Sequence, residues 1–365
     1  MMGKVKVLFV ATEFAPGMIP FASSIINTLA SDKLFDVDCI CVNSGKKSYK
    51  PYVAIQNCIH IEYPSNKFIK LIYKFYPYKI IKKIQELTRK CNYDYIHFLT
   101  GDFSVSYYVK SLSDRSNLVY TVHDLHPHEI EKKSNFFFNI LRMFILKGNR
   151  RLVNCIPTLT TCSNEQMAEL KSLFPQKKVV FSHFPTLVTS QMINGTKKVE
   201  ELKDKHNYIL FFGGINKYKG VDILIDMYQK SEKLKNTCLV IAGKGIQYNT
   251  YNNPNIVSIN RFIDDDEISD LFRKSSVVVY PYRSATLSGV LSISLYYRKK
   301  IVVSRLPFFE QYDCNLIKYF ETNDILQLEE KIIQQIKEKD IESSDYEQFF
   351  SSNVLIDDYR NLYSI

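Results

Sequence analysis

Tyr208-Ile209-Leu210-Phe211-Phe212-Gly213-Gly214-Ile215-Asn216-Lys217-Tyr218-Lys219-Gly220-Val221 joins an unbroken apolar run to two adjacent glycines and then to a helical pattern over residues 221–233. A short apolar run without alternation reads as a strand covered on both faces. The glycines give backbone that can approach another group without Cβ obstruction. A helix opening after such a turn points free N–H groups and its positive dipole end at that group. Lys217 and Lys219 add mobile positive charge suited to a diphosphate. Taken alone, the segment fits a plain tight turn with exposed lysines equally well.

The pattern repeats on either side. An expected strand over 238–242 ends in Gly243-Lys244-Gly245, and one over 277–280 runs into Pro281-Tyr282-Arg283-Ser284-Ala285-Thr286-Leu287-Ser288-Gly289 and a helix. In that loop Ser288 is the expected N-cap, with the amides of residues 287–290 as a second anion cradle. Three polar loops on one sheet edge match the crevice rule for open α/β sheets. Further strands are expected at 256–260, 301–304 and 316–320, and helices at 265–274 and 325–338. The first half alternates likewise, with strands at 4–11, 37–42, 58–63, 95–98, 118–122, 159–162 and 178–181 and a helix at 19–30. Two such series imply two Rossmann-like α/β domains. They are expected at residues 1–190 and 191–345, divided within the polar stretch 186–206, with residues 346–365 as a closing helix.

The chain has 365 residues, 45% of them hydrophobic, enough for two cores. No apolar run approaches the length of a bilayer crossing, and residues 5–11 are too short and too alternating for a signal-peptide core, so a cytoplasmic location is expected. None of the eight cysteines shows the close-paired spacing of a zinc site, and buried reduced thiols are expected. Residues 1–190 hold 25 Lys+Arg against 14 Asp+Glu, the remainder 23 against 24, so the net charge of +10 belongs to the first half. That asymmetry points to a polyanionic partner surface.

Phe211-Phe212-Gly213-Gly214, Tyr218-Lys219-Gly220-Val221-Asp222, Leu239-Val240-Ile241-Ala242-Gly243-Lys244-Gly245, Arg261-Phe262-Ile263 and Pro281-Tyr282 with Ala285-Thr286-Leu287-Ser288-Gly289-Val290-Leu291 occur in this order. The series resembles retaining GT-B glycosyltransferases, in particular glycosyltransferase family four, over residues 208–310. The resemblance implies the GT-B fold, two Rossmann-like domains facing across a cleft, with the C-terminal helix returning to the first. It implies a nucleoside-diphosphate sugar as donor substrate, held mainly by the second domain, and no metal or other cofactor. Lys219 would neutralise the departing diphosphate, beside Lys217, Gly213 and Gly214. Thr286, Leu287, Ser288 and Gly289 would hold phosphate and sugar oxygens. Gly243, Gly245, Phe262 and Ile263 would border the base. The family often places two glutamates eight positions apart, where this chain has Thr286 and Ser294; Thr286 is left to bond a sugar hydroxyl and Ser294 a ribose hydroxyl. An arginine common in the family is replaced by Gly214, with Lys217 as its substitute. The loop style Ala-Thr-x-Ser-Gly resembles a known variant of the family.

In the first half, Gly17 matches a loop that in the family closes over the donor phosphate. After the strand at 118–122, His123-Asp124-Leu125-His126-Pro127-His128 invites a metal reading, but Pro127 interrupts any helix and no distant ligand pattern completes a set, so no metal is expected there. His123 matches a family histidine near the reacting carbon and is the expected catalytic partner of Lys219. Lys67, Lys70, Lys74, Lys79, Lys82 and Lys83 interleave with large apolar side chains, as do the basic residues after Phe136. Such segments suit the interface of an anionic membrane; an ordinary domain helix with lysines on its wet face reads the same. Expected partners are thus a nucleotide sugar, a saccharide or lipid-linked acceptor and an anionic membrane surface at the inner face; no recognition motif for nucleic acid is present. Two alternatives stand beside the transferase: a degenerate binding partner of sugar nucleotides, and a sugar-nucleotide epimerase using Glu13, Asp102 or Asp124.

Overall fold

The computed structural model describes residues 4–14, 18–43, 52–62, 64, 66, 69, 72–73, 76–101, 105–112, 117–126, 136–250, 253–339 and 343–365. It divides into two compact units, residues 1–185 with 352–365, and residues 186–351.

In the first unit β1 (Val5–Phe14) is flanked by β2 (Phe35–Asn43) and β4 (Tyr95–Phe98). With β3 (Cys58–Glu62), β5 (Asn117–Thr121), β6 (Thr158–Thr161) and β7 (Lys178–Phe181) they make a seven-stranded parallel sheet, ordered β3-β2-β1-β4-β5-β6-β7. Val7 to Ala11 are fully buried, because helices cover both faces of a parallel sheet. On one face Leu8, Val10, Ile40, Val42, Ile96 and Phe98 pack with Ile80 and Ile84 of the helix Tyr78–Lys90.

The other face is closed partly by the helix Ser352–Tyr363. Its Tyr359 and Tyr363 are buried, the Tyr363 hydroxyl meets His97 Nδ1 at 2.8 Å, and Tyr95 donates to the Tyr363 carbonyl at 2.8 Å. Lys178 Nζ donates to the Leu362 carbonyl at 2.6 Å, a cation on the negative end of a helix. Asp358 accepts from both the backbone N–H and ring Nδ1 of His183. The closing helix expected at residues 346–365 is in fact two, Asp345–Phe350 and Ser352–Tyr363, interrupted by Ser351 at φ −67°, ψ 154°. The first belongs to the second unit and the next to the first unit.

The second unit is a six-stranded parallel sheet ordered β10-β9-β8-β11-β12-β13, from β8 (Tyr208–Phe212), β9 (Leu239–Ala242), β10 (Ile256–Ile259), β11 (Ser275–Tyr280), β12 (Lys300–Ser304) and β13 (Ile317–Phe320). The stretch 186–206, expected as a divider, is instead part of this unit. Val199 and Leu202 are fully buried, and the Val199 N–H donates to Asp270 at 3.1 Å.

Candidate functional site

In each sheet the strand order reverses beside its first strand, between β1 and β4 and between β8 and β11. The carboxyl ends of such neighbours diverge, leaving a crevice.

At the β8–β11 crevice three loops interlock. Gly220 (φ +64°) lets the first loop touch the third; a Cβ there would lie 1.8 Å from the Pro281 carbonyl oxygen. Gly213 N–H donates to Ala242 O and Ile215 N–H to Lys244 O, so the loops after β8 and β9 run side by side. Asn260 brings in the loop after β10, accepting from Gly245 N–H at 3.0 Å and donating to its carbonyl at 3.2 Å. Arg283 locks the frame, its guanidinium on both Asp222 oxygens at 2.8 Å and on the Lys217 carbonyl at 2.8 Å.

Lys219 sits inside this frame. Its Nζ donates to the Tyr282 hydroxyl at 3.0 Å, lies 4.8 Å from the centre of the Tyr282 ring, and would be 3.5 Å from a Cβ at Gly213. Burial works against its charge, but Tyr282 and Tyr218 more than offset this, and its pKa is raised above the usual lysine value. Tyr282, 1% exposed, bonds in turn to Ser288 Oγ at 3.4 Å. Lys219, Tyr282, Ser288 and Gly213 thus form one polar wall, an arrangement able to hold an anion by ammonium, hydroxyl and backbone donors.

The other expected donor residues divide. Thr286, Leu287 and Gly289 lie half-buried in the loop around Ser288. Gly214 and Lys217 are exposed at its rim, and Phe262 is 61% exposed, whereas Ile263 is buried. Ser288 is not the N-cap: Gly289 holds that position without a side-chain cap, because the Ser288 hydroxyl is turned to Tyr282. Ser294 is fully buried, its hydroxyl donating to Val290 O at 3.2 Å and meeting Tyr280 OH at 2.7 Å, so the structure does not bring it to the loop. Gly243 and Gly245 are required by the neighbouring backbone rather than by open space. Arg261, just before Phe262, is committed to Glu201 and Glu267. Sequence reasoning assigned no role to Tyr282, Asn260 or Arg283; Arg283 could have been found from its paired charge Asp222 at the start of the helix Val221–Lys230.

In the first unit His123 follows β5. Its Nε2 donates to the Leu99 carbonyl at 2.7 Å, which leaves Nδ1 as the acceptor. Burial lowers its pKa, against the Leu99 hydrogen bond and Asp124, so the ring is neutral at pH 7. Phe21 packs edge-on at 4.7 Å. Gln166, which was not foreseen, fastens the loop by accepting from Leu125 N–H at 2.7 Å and donating to Val122 O at 2.9 Å. His126 turns to Glu169 at 2.6 Å and so does not converge with His123. His128, Gly17, Lys67, Lys70 and Lys74 lie outside the described residues. Lys79 and Lys82 are exposed, and Lys83 pairs with Glu86 at 3.2 Å. Among the described residues no helix is long and apolar enough to cross a membrane.

A family model described as glycosyl transferase 4-like matches residues 6–156, and one for glycosyl transferases group 1 matches residues 193–349. The sucrose-phosphate synthase of Thermosynechococcus elongatus shares the fold at a TM-score of 0.68 and 12% identity, over 99% of this chain and 100% of that one. Anabaena HepE does so at 0.69 and 14%, over 99% and 100%. A glycosyltransferase from Rickettsia africae ESF-5 matches at 0.66 and 16%, over 99% and 98%. No curated protein matches by sequence. With both halves matched by glycosyltransferase families and the two-sheet fold shared end to end, the chain belongs to the GT-B glycosyltransferases.

Proposed function

We propose that the chain moves a hexose-type sugar from a nucleoside-diphosphate sugar to a saccharide or lipid-linked acceptor, with retention at the anomeric carbon and without a metal. The reaction would serve surface polysaccharide or glycan biosynthesis, with the protein peripheral at the inner face of the membrane. The observation that carries this is the Lys219 ammonium held against Tyr282 and Gly213 where the second sheet's order reverses. Breaking the bond to the sugar leaves charge on the diphosphate, and a fixed ammonium with backbone donors stabilises it as it forms. Anabaena HepE, a relative in fold, has been solved with UDP and glucose; the same donor class suits the wall described here. In the first unit His123 offers a neutral Nδ1 able to accept a hydrogen bond from a sugar hydroxyl, the role we assign it in front-face attack. The acceptor hydroxyl's proton passes to the departing phosphate.

Wild-type protein incubated with a panel of nucleotide sugars should hydrolyse one donor slowly, and faster with its acceptor. Lys219→Ala should lower transfer about 100-fold, the scale of losing one preorganised donor. Equal rates in the two proteins refute the assignment; tight binding with no turnover in wild type favours the non-catalytic partner.

A further inference from the structure

Three cysteine sulfurs converge on one face of the first sheet. Alternate residues of a strand project to the same side. Ile40 and Val42 of β2 point into the core cluster, so Cys39 and Cys41 face the opposite way. Register pairs β3 to β2 as Cys58 to Cys39 and His60 to Cys41, which puts Cys58 and His60 on that same face. Cys41 Sγ lies 4.0 Å from Cys39 Sγ and 3.8 Å from Cys58 Sγ, and all three sulfurs lie within 4.8 Å of one another. His60 shares the face of the three sulfurs by register, opposite Cys41.

These gaps favour a metal over a disulfide. Tetrahedral zinc with bonds of about 2.3 Å holds its sulfurs about 3.8 Å apart, whereas a disulfide needs about 2 Å. Cys39 and Cys41 are fully buried, while Cys58 and His60 on the outermost strand are half-buried, which gives an ion an entry path. Three converging sulfurs, with an imidazole available on the same face, suit a thiophilic cation without geometric demands beyond a tetrahedron. We propose that Cys39, Cys41 and Cys58 bind one zinc ion that fastens edge strand β3 to β2, with His60, on the same face by register, completing the set. The thiols release their protons to solvent as they coordinate, with no change of oxidation state. The site belongs to the first unit, whereas the donor loops belong to the second, so its role is structural.

Reduced full-length protein, stripped with a chelator and titrated with Co²⁺, tests this. About one equivalent should bind, giving thiolate-to-cobalt charge-transfer bands and tetrahedral d–d bands that Zn²⁺ abolishes. Cys39→Ser and Cys58→Ser should each weaken Co²⁺ at least about 100-fold, His60→Ala should shift the d–d bands, and Cys91→Ser should change nothing. The wild-type titration needs no variant to fold. Folded, reduced wild type that takes up neither ion overturns the proposal, as do bands that survive in Cys39→Ser/Cys58→Ser.

Discussion

At Gly243 the backbone stands at φ +147°, and a Cβ would lie 1.9 Å from the Gly213 carbonyl oxygen. At Gly245 it would lie 2.1 Å from the Ile215 oxygen. The loop after β9 therefore lies against the loop after β8 backbone to backbone. Gly243→Ala should destabilise the second unit by at least about 2 kcal/mol in urea unfolding and weaken donor binding with it. Gly214, where a Cβ meets nothing nearer than 3.7 Å, should accept alanine within about 0.5 kcal/mol. Ser294→Ala, which removes a hydroxyl shared by Tyr280 and Val290, should cost about 1 kcal/mol of stability and leave the donor KM unchanged. A lowered affinity in that variant would return Ser294 to the site. The contrast shows what sequence could and could not reveal of the site. Charge and backbone freedom are written in residue types, so Lys219 and the glycines were legible. Side-chain direction is set by packing partners distant in sequence, so the turning of Ser288 to Tyr282 and of Ser294 to Tyr280 was not.

Strands were the most legible elements. The expected bounds Tyr95–Phe98, Lys178–Phe181 and Tyr208–Phe212 are those observed, and in the last every residue is apolar, as a parallel strand covered on both faces requires. Helical periodicity was less decisive: the apolar pattern continues across Ser351, and only backbone geometry separates the two closing helices. The thiol face of β2 and β3 was hidden for another reason: strand register, not sequence spacing, makes Cys58 a neighbour of Cys39. The basic segment ahead of β4 carries a prediction at this scale. The helix Tyr78–Lys90 buries Ile80 and Ile84, as any domain helix does, but Ile69, Ile72 and Tyr76 before it are 51%, 50% and 52% exposed. Beside exposed Lys79 and Lys82 they match an interfacial anchor. The protein should float with anionic vesicles at low salt and sediment at high salt. Ile69→Asp/Ile72→Asp should reduce flotation, and each Lys→Glu change should cost about 1 kcal/mol or more of binding. Flotation that ignores both salt and these variants would assign the face to ordinary solvent.

At the scale of the whole molecule, acid bears on the first unit through its buried histidines. His97 is fully buried between Tyr363 and Thr121, and burial, with His123 nearby, lowers its pKa to about 3. Unfolded histidine titrates near 6.5, so between pH 6.5 and about 3 the unfolded chain binds a proton that the folded one refuses. Stability must therefore fall as pH falls through that window, by up to about 1.4 kcal/mol per pH unit for His97. His123, lowered in the same direction, adds to the loss. Urea unfolding at pH 7.5 and pH 5 should show the first unit moving to lower urea in acid, less so in His97→Gln; identical curves would contradict the buried neutral ring. His97 is also where the ordering of the chain has its effect. Its Tyr363 partner lies beyond the whole of the second unit in sequence, yet completes the first. On a ribosome, the amino-terminal sheet emerges with part of that face bare, and that part must wait until Thr186–Ser351 has been made. The half that is synthesised first is therefore finished last, and chaperones holding the nascent protein would be expected to act there.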